Sequence, residues 1–585
     1  MSFVVSYGKD TKIIKNRERK TPSPVYILEN QNEIIIGDFF HSTEYEILSG
    51  GGWKQNPKVL DKYNAAISII SFDEENCFFY SNLYSQESLY YFCDDLKENV
   101  YISDDFWDIV KILEPTFEML DIDNIKLMVE LGGALLNDQT IIKGIKVLLP
   151  GMLVRYQKQS NILTIEKRDF LSFSCSVSDL NEAVERIDYS MDKTIKDIKN
   201  KHGDVVYGLG LSGGLDSRLV LHYALKNNMK VMCFNLCDIR PHLFLKARSV
   251  RLAEKIARVC QIPIKFVQWD KNEIDRAKKK KTQYYPNGPL SEAALDIYKF
   301  TLDELEQMDI LLNGGANIAG YLVCGTMDQA NVTGLSELTK YIENKIIYVY
   351  STYNWTKFLK GIRAIFNIPV KMGSKYKYEW ERCLYEEQRQ IIHSRIEDFV
   401  EDMLERGFQN GYEIVINFRM LFLVNQLRNG AFESKFGEKR SYSIYSPMVL
   451  REALRFNYMN EELWKDRNIL RELIRQKAPE LSTINEENYM PSPQKVNRKL
   501  DRILSVIDRA FRGDGAHIAP KYWKKKKVYQ SFLSDMNNKG TWFYRIIPIE
   551  SHVNDIRHTN YRLMNSLWNV KRIIDCIEMK EYMEY

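Results

Sequence analysis

The feature that most constrains this chain is the stretch "VVYGLGLSGGLDSRLVLHYAL", residues 205–225. Apolar and small residues lead into a cluster of glycines and serines, and an apolar run with helical spacing follows. A strand, a tight glycine loop and a helix in this order commonly bind phosphate at the helix N-terminus. Asp216 lies at the centre of this loop, although a carboxylate repels a bare phosphate.

The hexapeptide SGGLDS within this stretch explains the acid if the loop binds a nucleotide together with a metal ion. Gly213 and Gly214 have no Cβ, so the backbone can approach phosphate oxygens closely. Ser212 and Ser217 add hydroxyl donors. A Mg²⁺ ion between the Asp216 carboxylate and the polyphosphate would turn repulsion into attraction. The sequence therefore predicts an ATP site with Mg²⁺ as cofactor.

The glycine loop admits other interpretations. The Walker sequence GxxxxGK[ST] is absent, so the lysine that binds the terminal phosphates in kinases and ATPases is missing. Cleavage between the α- and β-phosphates therefore suits this loop better than transfer of the terminal phosphate. Gly208, Gly210 and Gly213 form a literal G-x-G-x-x-G, with Asp238 near the spacing of a ribose-binding acid, as in dinucleotide-dependent oxidoreductases. Alternatively, Gly208 and Gly210 are small residues in a crowded central strand, or the whole loop is a capped turn.

The character of the chain changes near residue 178, which predicts two domains, since 585 residues exceed one hydrophobic core. Residues 1–178 contain short apolar runs between polar turns, typical of a mostly β unit, and "LLPGMLVRY" has a hairpin-like Pro-Gly turn. Residues 179–585 alternate strand and helix patterns up to residue 330 and are largely helical beyond it. This predicts a doubly wound parallel α/β sheet with a large helical C-terminal part, joined to the β unit by the serine-rich "SFSCSVSDL".

Composition excludes several classes of protein. The net charge is +4 over 585 residues, which argues against a dedicated nucleic-acid partner. No apolar run reaches the roughly 18 residues of a membrane span, and the first residues lack the pattern of a signal peptide. The nine cysteines include no CxxC pair, which predicts reduced thiols and no zinc site. We therefore expect a cytoplasmic protein with no nucleic-acid and no membrane partner.

The strand–SGGLDS–helix passage resembles the pyrophosphate loop of the N-type ATP pyrophosphatases, in particular that of the asparagine synthetase family with its β-lactam synthetases and lasso-peptide cyclases. Most of the chain shares the resemblance, through "CFFYSNLYSQESLYYFCDDLKENVYISDD", "TIIKGIKVLLPGMLVRY" and "YSPMVLREALRFNYMNEELWKDRNILRELI". It implies a degenerate, glutaminase-like (class II amidotransferase-like) α+β sandwich over residues 1–178. An ATP-pyrophosphatase synthetase domain would follow over residues 179–585.

The resemblance also implies an activity. Members of this family activate a carboxylate as its acyl-adenylate and release pyrophosphate, after which an amine attacks to give an amide and AMP. The substrates would be ATP, a carboxylate and an amine, a peptide among the candidates, in specialised peptide, natural-product or capsule biosynthesis. A partner in a biosynthetic complex, or a second copy of the chain in a homodimer, fits the same interpretation.

The residues implied for ATP lie in three places along the chain. Asp216 would also bind Mg²⁺, and Asn235, at the end of the strand "VMCFN", would lie near the adenine. The complete implied ATP-binding set is Leu211, Ser212, Gly213, Gly214, Asp216, Ser217, Asn235, Gly314 and Gly315.

The second glycine loop, "LLNGGANIAGY", departs from the Ser-Gly-Glu-Gly-x-Asp-Glu of asparagine synthetases. The family glutamate falls at Gly315 and the metal-binding aspartate near Asn317, whose amide oxygen is a weaker Mg²⁺ ligand. Tyr321 is the candidate substitute acid or base, although a phenol with a pKa near ~10 needs strong perturbation for that role, and packing is its alternative. A non-catalytic nucleotide-binding scaffold therefore stands beside the ligase.

A third departure concerns glutamine hydrolysis. Ser2 stands where glutamine-hydrolysing relatives expose an N-terminal cysteine, and a hydroxyl is a far weaker nucleophile than a thiolate. We therefore predict an N-terminal domain that does not hydrolyse glutamine, with a glutamine-hydrolysing asparagine synthetase as the alternative.

Several charged residues near these segments have open roles. In "STINEENYMPSP" the family lysine is missing, and Lys495 is the nearest cation. Arg218 either neutralises phosphate charge or lies on the helix surface, and His222 is expected to be a half-buried structural residue. The lysine runs at 278–281 and 524–527 are predicted to be solvated.

Overall fold

The structure is a computed structural model that comprises three β-sheets and a set of helices. Its described residues are 3–9, 11–15, 25–28, 32–39, 52–62, 64–85, 88–131, 135–172, 179–237, 248–268, 307–314, 333–350, 379–424, 441–459, 468–484, 533–534, 536–537, 540–549 and 561–580. Two sheets are antiparallel and the third is parallel, so the chain combines an antiparallel β part with an α/β part and many helices.

The strands are β1 (Phe3–Gly8), β2 (Lys12–Lys15), β3 (Val25–Leu28), β4 (Glu33–Phe39), β5 (Ala65–Phe72), β6 (Asn76–Ser81), β7 (Tyr90–Asp94), β8 (Asn99–Ser103), β9 (Lys146–Val147), β10 (Met152–Gln157), β11 (Ile162–Arg168), β12 (Val206–Gly210), β13 (Lys230–Cys237), β14 (Ile264–Gln268), β15 (Ile310–Asn313) and β16 (Ser441–Ser443).

The α-helices are α1 (Phe106–Leu113), α2 (Ile122–Leu131), α3 (Leu180–His202), α4 (Leu215–Lys226), α5 (Arg248–Val259), α6 (Leu335–Tyr350), α7 (Glu379–Glu405), α8 (Gly411–Phe418), α9 (Pro447–Met459), α10 (Asn468–Lys477), α11 (Pro479–Ser482), α12 (Trp542–Ile546) and α13 (Tyr561–Glu578). Shorter 3₁₀ turns are Gly52–Lys54, Pro57–Lys62 and Phe117–Met119, and Arg419–Val424 is a π-helical turn after α8.

The two antiparallel sheets pack face to face as a sandwich. Their strand orders are β2-β1-β8-β7-β9 and β11-β10-β6-β5-β4-β3. Aromatic rings meet between the sheets: the ring centroid of Tyr7 lies 6.0 Å from that of Tyr156, and Phe79 lies 5.1 Å from Tyr91. Alternate side chains of the strands point to this interface, whereas Ile35, Ile67 and Ile69 on the opposite face of β4 and β5 pack with Trp53 in a separate cluster.

The parallel sheet has the strand order β14-β13-β12-β15-β16. The chain runs from β12 to β13 and β14 on one side and places β15 and β16 on the other. The order therefore reverses between β12 and β15, as in doubly wound folds. The loops after those two strands carry the first and second glycine clusters of the sequence.

The largest hydrophobic cluster joins the sandwich to the C-terminal helices. Buried side chains of α1, α2 and both antiparallel sheets share this cluster with those of α6, α7, α8, α12 and α13. Polar contacts support the same union, since Lys126 Nζ lies 2.6 Å from Glu387 Oε2 and Arg395 donates to Asn124 Oδ1 at 2.5 Å. A second cluster surrounds the parallel sheet with α3, α4, α5, α9 and α10.

Two expectations about local structure are corrected. "LLPGMLVRY" is not a hairpin, because β9 pairs with β7 in one sheet while β10 pairs with β6 and β11 in the other. Gly151 has φ +76° and its N–H donates to Ser81 O at 2.7 Å, so the turn carries the chain from one sheet to the other. The predicted helical C-terminal part also contributes a strand, β16, to the parallel sheet.

The remaining global expectations concern membranes and thiols. Within the described parts of the chain, no helix combines the length and the apolar character needed to cross a bilayer. The cysteines whose state is described are free thiols: Cys77, Cys93, Cys233, Cys260, Cys383 and Cys576.

Candidate functional site

The SGGLDS segment leads from β12 into α4, as its sequence predicts, but Asp216 is not at the centre of a loop: residues 211–214 form the loop, and Leu215, Asp216 and Ser217 already belong to the helix. Leu211 continues the parallel ladder one residue beyond β12, because its N–H donates to Phe234 O at 2.8 Å. Gly214 is the N-cap of α4 and has no side chain with which to cap the helix amides. The twelve-residue helix therefore presents its first turn, with its positive dipole end, at the carboxyl edge of the sheet.

The two serine hydroxyls hold the loop in shape. Ser212 Oγ accepts from the Gly214 N–H at 3.1 Å, and Ser217 Oγ accepts from the Ser212 N–H at 3.3 Å. The hydroxyls themselves are 3.3 Å apart. Such a loop has few conformations left to lose when a ligand binds, which favours affinity.

The loop after β15 approaches this first loop directly. A Cβ built on Gly314 would lie 2.7 Å from Asp216 Cβ and 3.3 Å from the Ser217 amide nitrogen. Contacts under 3.0 Å essentially never occur for real Cβ atoms, so only glycine permits this approach. The structure thus brings together Gly314 and the SGGLDS loop, which the sequence assigned to one site.

Asp216 lies in the first turn of α4 and is buried, with 7% of its surface exposed. Its Oδ1 accepts a hydrogen bond from the Tyr445 hydroxyl. Among the described residues, no group of three His, Cys, Asp or Glu side chains could enclose a metal by itself. One carboxylate nevertheless fits Mg²⁺ beside a nucleotide, since Mg²⁺ keeps several waters and takes its other ligands from substrate phosphates.

Asn235 lies on β13 next to the loop and is almost completely buried. Its Nδ2 donates to Leu211 O at 2.7 Å, while its Oδ1 is buried without a hydrogen-bond partner. A buried acceptor without a donor costs free energy unless a ligand supplies one. The amino group of an adenine is such a donor, so the residues present fit the nucleotide that the sequence predicts.

Arg218 corrects one of its two sequence interpretations, because it is not a surface residue. Only 1% of it is exposed, and its guanidinium donates to three backbone carbonyls. Nη1 reaches Ile484 O at 2.6 Å and Leu481 O at 3.2 Å, and Nη2 reaches Gly213 O at 2.9 Å. Its charge therefore lies behind the loop and ties α4 to α11.

The two strand glycines of the literal G-x-G-x-x-G, Gly208 and Gly210, differ in how closely their neighbours pack against them. A Cβ on Gly208 would lie 2.3 Å from Met308 Sδ, so this glycine belongs to a crowded strand, as expected. Among the described residues, a Cβ on Gly210 would meet the Phe234 ring at 3.5 Å or more, an ordinary contact, so these residues do not crowd that position.

His222 is half-buried on α4, as predicted. Its ring packs edge-to-face on Tyr223 with centroids 5.0 Å apart. Burial lowers the pKa of His222, against a smaller opposing effect of Glu480. The imidazole therefore favours its neutral form and serves packing.

Tyr445 is the site residue that the sequence interpretation missed. It lies two residues beyond β16, in the segment "YSIYSPMV" whose proline marks the start of α9. The available signal was a tyrosine at the end of a short β-branched and aromatic run. A strand prediction there would have placed it at the carboxyl edge of the sheet.

Several predicted residues lie outside the described residues, and their predicted roles stay predictions. They are Ser2, Asp238, Gly315, Asn317, Tyr321 and Lys495, together with the lysine runs at 278–281 and 524–527.

No protein-family model and no curated protein matches this chain. Among solved structures, the chain is similar to an NH3-dependent NAD synthetase from Campylobacter jejuni subsp. jejuni NCTC 11168 in complex with the nitrate ion, at 16% sequence identity. The match covers 38% of this chain and 96% of that chain, with a TM-score of 0.20.

Proposed function

We propose that this protein is an ATP- and Mg²⁺-dependent ligase that adenylates a carboxylate and joins it to an amine. The observation that carries the proposal is the position of the SGGLDS loop, between β12 and α4, where the strand order of the parallel sheet reverses. In open parallel sheets, ligands bind in the crevice outside the carboxyl ends of the strands at this reversal. Gly314 and Asn235 lie at the same edge.

Each group at this edge has a role in holding ATP. The backbone amides of Gly213 and of the first turn of α4 would bind the phosphates, and Asp216 would hold Mg²⁺. Asn235 Oδ1 would accept a hydrogen bond from the adenine amino group. When bound, Mg²⁺ neutralises charge on the departing pyrophosphate. Arg218 adds a fixed positive charge behind the loop, since it donates to Gly213 O.

The proposed reaction has two steps. A carboxylate oxygen of the substrate attacks the α-phosphorus of ATP, and pyrophosphate leaves. The amine nitrogen then attacks the acyl carbon, gives up a proton, and AMP leaves with the electrons of the broken C–O bond. Tyr321, as its phenolate, is the proposed acceptor of that proton, because Gly315 stands where asparagine synthetases have glutamate. The role requires a pKa lowered from the ordinary phenol value of ~10.

The finer assignment rests on the sequence resemblance. We propose membership of the asparagine synthetase family, with a peptide or another natural-product precursor as substrate and a biosynthetic-complex partner or a homodimer as the assembly. The N-terminal sandwich would be a glutaminase-like domain that no longer hydrolyses glutamine, since Ser2 replaces cysteine.

Calorimetry with an α,β-non-hydrolysable ATP analogue, with and without Mg²⁺, tests the nucleotide site. We expect Mg²⁺-dependent binding to the parent protein and its loss in Asp216→Asn. Asp192→Asn is the matched control, because Asp192 on α3 accepts from Asn227 Nδ2 at 2.9 Å and lies outside the loop. Failure of the parent protein to bind the analogue would refute the proposal.

Carboxylate-dependent exchange of labelled pyrophosphate into ATP tests the chemistry, with the twenty amino acids and short peptides as probes. Exchange with AMP as the later product supports the ligase, whereas formation of ADP contradicts it. If the parent protein binds the nucleotide without pyrophosphate exchange, and the double variant Gly315→Glu, Asn317→Asp gains exchange, the non-catalytic scaffold is favoured. Glutamate release from glutamine that Ser2→Ala abolishes would favour the glutamine-hydrolysing enzyme.

A further inference from the structure

The segment that follows β16, the edge strand two positions from β12 in the parallel sheet, reaches Asp216 in the proposed nucleotide site. β16 pairs with β15 in the register Leu312↔Tyr442 and Asn313↔Ser443, so both strands end at the same edge. Tyr445 follows two residues later, with 1% of its surface exposed and its ring in the core around the sheet. Its position is thus set by packing, and its hydroxyl is the polar end.

That hydroxyl donates to Asp216 Oδ1 across 229 positions of sequence. The contact depends on the close approach of three segments that follow strands: Asp216 lies in the first turn of α4 after β12, Gly314 directly follows β15, and Tyr445 lies two residues beyond β16. Because any Cβ at position 314 would collide with Asp216, the glycine keeps the carboxylate where Tyr445 can reach it.

The backbone around Tyr445 is anchored on both sides. The Tyr445 N–H donates to Ser443 Oγ at 3.1 Å. Ser446 Oγ lies 2.7 Å from Thr194 Oγ1 on α3, and Ser446 O accepts from the Leu450 N–H at 2.9 Å in the first turn of α9. A tyrosine held this firmly can fix the orientation of its partner without losing much entropy of its own.

We propose that Tyr445 is the positioning residue for Asp216, which it orients toward the nucleotide-bound Mg²⁺. This inference rests on the proposed function. Carboxylates that bind metals are themselves commonly fixed by hydrogen bonds, and loss of such a partner costs about 10- to 100-fold in metal affinity or activity. We expect metal binding to depend more strongly on this hydrogen bond here, because Gly315 and Asn317 stand where asparagine synthetases have acidic residues in the second loop.

The test is Tyr445→Phe, which removes the hydroxyl and keeps the ring. Binding of the α,β-non-hydrolysable ATP analogue is measured by calorimetry on the full chain over a series of Mg²⁺ concentrations. We expect the Mg²⁺ concentration for half-maximal binding to rise about 10- to 100-fold. Binding in the presence of a chelator should not change, because the nucleotide contacts themselves are kept.

Tyr442→Phe is the matched control. Tyr442 is equally buried, lies three residues earlier, and its hydroxyl is 2.8 Å from His202 Nε2. Its removal costs one buried hydrogen bond but should leave the Mg²⁺ dependence unchanged. A double variant, Asp216→Asn with Tyr445→Phe, completes the cycle: if Tyr445 acts through Asp216, the second substitution adds nothing to the first.

The outcomes separate this inference from the proposed function. If the parent protein shows Mg²⁺-dependent binding and Tyr445→Phe matches it, the inference is overturned while the function stands. If Tyr445→Phe binds at lower Mg²⁺, the hydroxyl competes with the metal, which also overturns the inference. If the parent protein shows no Mg²⁺-dependent binding, the proposed function fails and the inference falls with it.

Discussion

Asn417 on α8 pairs with both backbone groups of Leu171, as a neighbouring strand would. The Leu171 N–H donates to Asn417 Oδ1 at 2.7 Å, and Asn417 Nδ2 donates to Leu171 O at 2.8 Å. Both residues are buried, and 246 positions of sequence separate them. One side chain thereby fixes the end of the β part against the helical part.

We expect Asn417→Ala to lower the free energy of unfolding by about 3 kcal/mol, because it leaves a buried N–H and a buried C=O without partners. Denaturant unfolding monitored by circular dichroism measures this. Asn410→Ala at the N-cap of the same helix is the comparison, since it removes the cap bond to the Tyr412 N–H and should cost about 1 kcal/mol. Equal effects of the two substitutions would contradict the role assigned to Asn417.

Arg218 should behave as a structural arginine. Arg218→Met removes the donor to the carbonyls of Gly213, Leu481 and Ile484, which should cost roughly 3 kcal/mol of unfolding free energy. Arg218→Lys should recover little, because one ammonium cannot reproduce the guanidinium fork. Arg186→Met, at a half-exposed ion pair with Glu182, should cost less than ~1 kcal/mol. Recovery of full stability by lysine would argue against this geometry.

Gly314→Ala should damage the site, whereas Gly210→Ala should not. The new methyl at 314 would lie 2.7 Å from Asp216 Cβ, but at 210 its nearest neighbour is 3.5 Å away. Relieving the first contact costs about 1–3 kcal/mol, or about tenfold to a hundredfold in affinity if Asp216 moves. Calorimetry with the ATP analogue compares the two variants. Equal affinities would mean that the second loop does not touch the first.

His222 should contribute to loss of stability in acid. Its pKa is lowered in the folded protein by burial, so between the folded and unfolded pKa values the unfolded chain binds more protons. Stability is therefore full above about pH 6.5 and decreases as the pH falls below it. The melting temperature of His222→Gln should fall less between about pH 7 and about pH 5 than that of the parent protein. An unchanged pH dependence would contradict the burial effect.

The sequence by itself determined the strands of the parallel sheet other than β16 and several of the helices around it. The apolar runs "KVMCFNL", "IPIKFVQW" and "MDILLN" form β13, β14 and β15, and the amphipathic runs form α3, α5, α9 and α10. These elements bury continuous or periodic apolar surfaces, which a local pattern reveals. The SGGLDS segment likewise leads from a strand into a helix, because glycine and serine end the strand locally.

Only the tertiary structure decided what that loop meets. Two carbonyl partners of Arg218, on Leu481 and Ile484, lie more than 260 positions away, and Tyr445 reaches Asp216 across 229. The Pro-Gly turn at 150–151 carries the chain from one sheet to the other and does not form a hairpin. Hydrogen bonds between distant segments leave no periodic trace, and a residue such as Gly314 differs from any turn glycine only through the atom it approaches. Local propensity therefore determined which segments form the strands and helices of the site. The packing of segments distant in sequence determined which polar groups meet there.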